Sequence, residues 1–143
     1  MIIIRNFNIE DYKNVIRLWD QSKLPFKSKG RDSLIKIKNE TNKENSIFLV
    51  AEDNGKIIGS VFGTHDGRKG WINRLAVLPE YQRKGIAKNL CLEVEKKLNY
   101  LGIEIICCLI ENYNINSFNF FKKLGYILHD DIKYLSKRKN NNV

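Results

Sequence analysis

Between Asn73 and Leu90 the sequence NRLAVLPEYQRKGIAKNL changes its period. It starts as a strand. From Gly85 onward Ile86, Leu90, Val94 and Leu98 recur at four-residue steps, the spacing of an amphipathic helix. A proline, a cluster of cations and one glycine separate the two. A helix starts with N–H groups that lack intrahelical partners, and its dipole makes that end electropositive. A strand that ends in a basic turn opening a helix is therefore suited to hold a phosphate or pyrophosphate. In Gln82-Arg83-Lys84-Gly85-Ile86-Ala87, Gly85 has no side chain to keep a ligand away and Ala87 is small. Arg83, Lys84 and Lys88 add charge at the same point.

The flanking sequence supplies the rest of a mixed α/β layer. Ile2 to Phe7 reads as a strand, and Asn8 or Asp11 caps a helix with Val15, Leu18 and Trp19 on one face. The basic, breaker-rich segment SKLPFKSKGRD, Ser22 to Asp32, precedes a second helix expected from Asp32 to about Lys43. Ile47 to Glu52 and Lys56 to Thr64 flank the turn Asp53-Asn54-Gly55 as a hairpin. Trp71 to Val77 is the next strand, and Gly102 ends the long helix that follows it. The apolar run Ile103 to Ile110 suits a strand covered on both faces. Asn114 to Leu124 is a short helix. Tyr126 to Leu128, continued by Ile132 to Leu135, is expected to form a last strand. The expected order is β-α-α-β-β-β-α-β-α-β in one domain spanning 1–136, with a basic tail, 137–143, expected to be disordered.

Composition narrows the function classes. The net charge is +9, but the chain is rich in Lys, Asn and Ile, as AT-biased coding produces, so only clustered charge carries an argument. It has neither a basic recognition helix nor an aromatic RNA-binding motif, so a nucleic-acid partner is not expected. No apolar run approaches the roughly 20 residues that span a bilayer, and Met1-Ile2-Ile3-Ile4 is too short for a signal peptide. Cys91, Cys107 and Cys108 read as buried free thiols of a reducing compartment, so a cytoplasmic location is expected. His65 and His129 are far apart and no Cys/His spacing points to a metal.

The segment Arg74-Leu75-Ala76-Val77-Leu78-Pro79-Glu80-Tyr81-Gln82-Arg83-Lys84-Gly85-Ile86-Ala87 resembles the acetyl-coenzyme A motif of the GNAT superfamily of N-acetyltransferases. Ile110 followed by Asn114, Ser117, Phe121 and Leu124-Gly125-Tyr126 resembles the family's second segment, Val-x-x-x-Asn-x-x-Ala-x-x-x-Tyr-x-x-Leu-Gly-Phe. The likeness covers residues 2 to 135. It implies acetyl-coenzyme A as cosubstrate, an amine as acceptor, and a monomer or homodimer. It also implies that strands 71–77 and 103–110 splay apart to admit the cofactor. The main chain of Leu75, Ala76 and Val77 would pair with the pantetheine arm. Residues Gln82 to Lys88 would hold the pyrophosphate, and Asn114, with Ser117 and Phe121 beside it, would meet the cofactor from the far side.

The resemblance breaks at the proton donor. Phe121 stands where the family often carries a tyrosine thought to protonate the leaving thiolate. Either the thiolate leaves unaided, or water or another tyrosine (Tyr113, Tyr134) substitutes, or catalysis is impaired. The last case would leave a coenzyme A-binding module with little turnover. For the base, residues 71, 73, 75 and 77 share a strand face by period two. Asn73 is a candidate to orient a water, Trp71 to wall the acceptor pocket, and Glu111 is an outlying alternative. Phe26 is a candidate acceptor wall, in a loop where Lys23, Lys27, Lys29 and Arg31 favour an acidic acceptor.

Overall fold

The computed structural model describes residues 1–143. Five strands form one sheet in the order β1-β2-β3-β4-β5: Ile2–Asn6, Ser46–Asp53, Lys56–His65, Lys69–Val77 and Ile105–Cys107. The first four are antiparallel neighbours and β5 runs parallel to β4. Helices α1 (Tyr12–Gln21), α2 (Leu34–Thr41), α3 (Ile86–Tyr100) and α4 (Ile115–Lys123) complete the mixed α/β fold. No helix is long and apolar enough to cross a membrane.

The stripe expected on α3 is the one it buries: Ile86, Leu90, Val94 and Leu98 lie in the core, with Cys91 beside them. They press onto three glycines of the sheet. A Cβ on Gly59 would lie 3.2 Å from Leu90 Cδ1, on Gly63 2.6 Å from Val94 Cγ1, and on Gly70 2.7 Å from Leu98 Cδ1. The side-chain-free strip lets the helix sit closer to β3 and β4 than alanines at Gly63 and Gly70 would permit without a shift; at Gly59 the fit is tight but less severe. On α1, Val15, Leu18 and Trp19 are buried as the periodicity predicts. Asn8 and Asp11 both act at its start, in a capping box around the turn Ile9–Asp11.

Three expectations are corrected. Helix α2 is shorter than Asp32 to Lys43, because Ser33 is its N-cap and accepts the Lys36 N–H, leaving Asp32 outside. The strand expected over Ile103 to Ile110 forms only at Ile105–Cys107. The last strand, Tyr126 to Leu128 with Ile132 to Leu135, does not form. A strand needs a neighbour's backbone, and β5 offers an edge of only three residues. Ile127, Leu128, Ile132, Tyr134 and Leu135 are accordingly exposed. Residues 137–143 carry no helix or strand. The Asn142 carbonyl accepts the Arg31 N–H at 2.9 Å and lies against Gly30, where a Cβ would collide with it.

Candidate active site

Strand β4 pairs with β5 only through Lys69–Ile105, Gly70–Ile106 and Trp71–Cys107. From Ile72 to Val77 its β5-side edge is open, so the two strands splay as expected. On its other side β4 has an irregularity: Asn73 pairs with Phe62, but Ala76 pairs with Ser60. Arg74 sits in this bulge with φ +54°, a conformation uncommon for a residue with a Cβ. The strict alternation expected for 71, 73, 75 and 77 therefore fails at Arg74, and Ala76 and Val77 are both buried. The bulge is fixed from beneath. The Ser60 hydroxyl donates to the Arg74 carbonyl at 2.9 Å, and Trp19 Nε1 donates to the same hydroxyl at 2.9 Å.

At the strand's end the Val77 carbonyl accepts from Gln82 Nε2 at 3.1 Å and from the Ser22 hydroxyl at 3.3 Å. A short turn, Pro79–Tyr81, leads to Arg83 (φ +63°) and Gly85 (φ +82°), both left-handed. Gly85 begins α3 with no side-chain cap, and a Cβ there would meet nothing within 4 Å. The first helical bond is Asn89 N–H to the Gly85 carbonyl, at 3.0 Å. The N–H groups of residues 83–88 find no acceptor in the protein. At the starts of α2 and α4, by contrast, the Ser33 and Asn114 side chains each take one such N–H. Arg83, Lys84 and Lys88 are exposed around the turn. Lys84 Nζ lies 5.2 Å over the Tyr81 ring, and the Tyr81 hydroxyl donates to Asp53 at 2.7 Å. Unpaired amides, a helix dipole and free cations together favour an anion.

Asn114 Oδ1 accepts the Ser117 N–H at 3.2 Å and so caps α4, while its amide nitrogen stays unengaged. Phe121 is buried, with its ring against Phe120 and Tyr126. Tyr126 donates to Glu95 at 2.9 Å, and burial and that carboxylate push its phenol above the ordinary tyrosine range. Burial raises Cys91 to about 12 and Cys108 to about 11, so neither is a thiolate near neutral pH. Tyr113 and Tyr134 are 77% and 64% exposed, and Glu111 is also exposed. Trp71 is half-buried and pairs with Thr64 and Cys107; Asn73, two residues on, is exposed. Phe26 packs on Trp19, ring centroids 6.2 Å apart.

One buried group escaped the sequence reading. Arg74 Nη2 meets both carboxylate oxygens of Asp32, at 2.9 and 2.7 Å, and its guanidinium lies 5.1 Å over Trp19. Burial pulls the Arg74 pKa below its ordinary value, Asp32 opposes that, and a guanidinium keeps its charge regardless. The available signal was Asp32 itself, the lone acid in SKLPFKSKGRD.

The pattern of the acetyltransferase (GNAT) family matches residues 12–126. Acetyltransferase SG1711 of Sodalis glossinidius (strain morsitans) is 34% identical over 137 residues, covering 94% of each chain. Among solved structures, the PaiA N-acetyltransferase of Thermoplasma acidophilum, in complex with coenzyme A, superposes with a TM-score of 0.82 at 26% identity. That match covers 91% of this chain and 92% of the other. The aminoglycoside N-acetyltransferase AAC(6')-Iy, also with coenzyme A, gives 0.82 at 18% identity over 96% and 95%, a likeness of fold alone. By pattern, by relative and by fold, the chain belongs to the acetyltransferase (GNAT) family, which uses acetyl-coenzyme A as its cosubstrate.

Proposed function

We propose that this chain transfers acetyl from acetyl-coenzyme A to a primary amine, of a small molecule or a protein, by direct attack in a ternary complex. The observation that carries this reading is the run of unpartnered N–H groups at residues 83–88, set at the mouth of the open β4–β5 gap. Gln82 to Lys88 hold the pyrophosphate. Leu75, Ala76 and Val77 pair with the pantetheine like an added strand. Asn114 offers its free amide from the opposite wall, with Ser117 and Phe121 beside it. The neutral amine nitrogen bonds to the thioester carbon, the C–S bond breaks, coenzyme A leaves as thiolate, and the second proton shed by the new amide nitrogen passes to solvent or to that thiolate. Main-chain N–H groups near 75–77 polarise the carbonyl oxygen. An alkylamine with pKa near ~10.4 must first lose a proton. In this reading Asn73 orients the water that takes it, with Trp71 on the same strand face. The cytoplasm is the compartment proposed for this reaction.

Isothermal titration of acetyl-coenzyme A into wild type and Gly85→Glu tests the reading. Wild type should bind, and the glutamate, left-handed and anionic, should abolish binding. Equal heats from both would sink it.

Phe121, which has no proton to give, favours one second reading: a coenzyme A-binding module with little turnover. Thiol release across a panel of primary amines separates the two. Silence from a protein that still binds the cofactor selects the module.

A further inference from the structure

The Arg74 side chain leaves the β4 bulge and enters the segment between α1 and α2. Its Nη1 donates to the Pro25 carbonyl, while Nη2 meets Asp32. Asp32 also accepts the Lys27 N–H at 2.8 Å. Both ends of the turn 25–32 thus converge on one guanidinium, and the pair is nearly withdrawn from water, at 15% and 5% side-chain exposure. The Ser22 hydroxyl ties the start of the segment to Val77. Segment 22–32 is thereby tied to Arg74 and Val77 of β4, the stretch whose β5-side edge faces the gap.

We propose that Arg74 and Asp32 are a positioning pair: they latch segment 22–32 to the β4 bulge and so set where the acceptor amine waits relative to the thioester. This rests on the function proposed above, with segment 22–32, which carries the candidate acceptor wall Phe26, taken as the acceptor side. Neither residue touches the reacting atoms. Arginine alone meets the demand, because one planar fork serves a carbonyl and a carboxylate while its face stacks on Trp19. Arg31 approaches Asp32 only to 3.6 Å and is 41% exposed, a screened contact that does not replace the latch.

The test uses full-length Arg74→Lys and, separately, Asp32→Asn, which keeps the side chain's shape. Segment 22–32 carries its own trypsin sites at Lys27 and Lys29. Cleavage of native protein there should rise roughly tenfold or more in either variant, while sites on α3 such as Lys96 and Lys97 stay protected. With the best amine of the panel, kcat/KM should fall by about 100-fold, chiefly through acceptor KM. The Kd for acetyl-coenzyme A should stay within about twofold. Unchanged cleavage, cleavage rising equally on α3, or an unmoved acceptor KM would overturn the proposal. If wild type binds no acetyl-coenzyme A, the functional reading falls, and cleavage confined to the segment still decides whether the latch exists.

Discussion

The ring of Phe121 stands edge-on to that of Tyr126, centroids 5.1 Å apart, and the Tyr126 hydroxyl is committed to Glu95. The tyrosine nearest the expected acid position therefore holds a raised pKa and an occupied proton. A thiol with an ordinary pKa near ~8.5 leaves tolerably as its anion. We expect Phe121→Tyr to change kcat by no more than about threefold; a gain of roughly 100-fold in a steady-state thiol-release assay would show that a missing acid limits the rate.

Val94 leaves no room over Gly63. Its Cγ1 would lie 2.6 Å from an added Cβ, and a β-branched side chain cannot swing aside cheaply. Gly63→Ala should cost about 1–3 kcal/mol in urea unfolding. Pairing it with Val94→Ala should give back part of that loss, a positive coupling in the double-mutant cycle.

Asp11 gives the fold an acid-sensitive joint. The Arg5 guanidinium, at 2.8 and 2.9 Å, lowers its pKa foremost; burial opposes this, and the Asn8 N–H assists. A depressed folded-state pKa means that the contribution is whole above the unfolded value near ~3.9 and is lost as pH falls through the folded value. Wild type should lose urea resistance below about pH 4, and its advantage over Asp11→Asn should shrink across the same range.

Cys91 is fully buried, with its pKa raised to about 12. Iodoacetamide at neutral pH should leave it unlabelled in native protein and modify it readily in urea. Mass mapping of the adducts checks this, and labelling of native Cys91 would contradict the packing of α3.

Much of the fold was legible because local signals agreed with one another. Asp53-Asn54-Gly55 forms the β2–β3 turn, with Asn54 and Gly55 at positive φ. The Ile86-Leu90-Val94-Leu98 stripe lies where its spacing put it. The anion-suited turn was also readable, since glycine and clustered cations announce it. The rest has no local signature. A left-handed Arg74 looks like any strand arginine until Asp32, 42 residues away, is seen beside it. The run Ile103 to Ile110 reads as one covered strand from its apolar composition, yet only Ile103 is buried and Ile105 and Leu109 are more than half exposed, because composition does not supply the backbone partners that make a strand. Tyr126 to Leu135 has the composition of a strand, yet composition cannot supply the edge it would need.

The bare strip of Gly59, Gly63 and Gly70 also governs the mouth of the site. These glycines set the height at which α3 rides, and the cluster of unclaimed amides is simply the near end of that same rod. Any methyl slipped beneath the far turns would act as a shim and tilt the opening, so a residue with no view of the gap could still detune it.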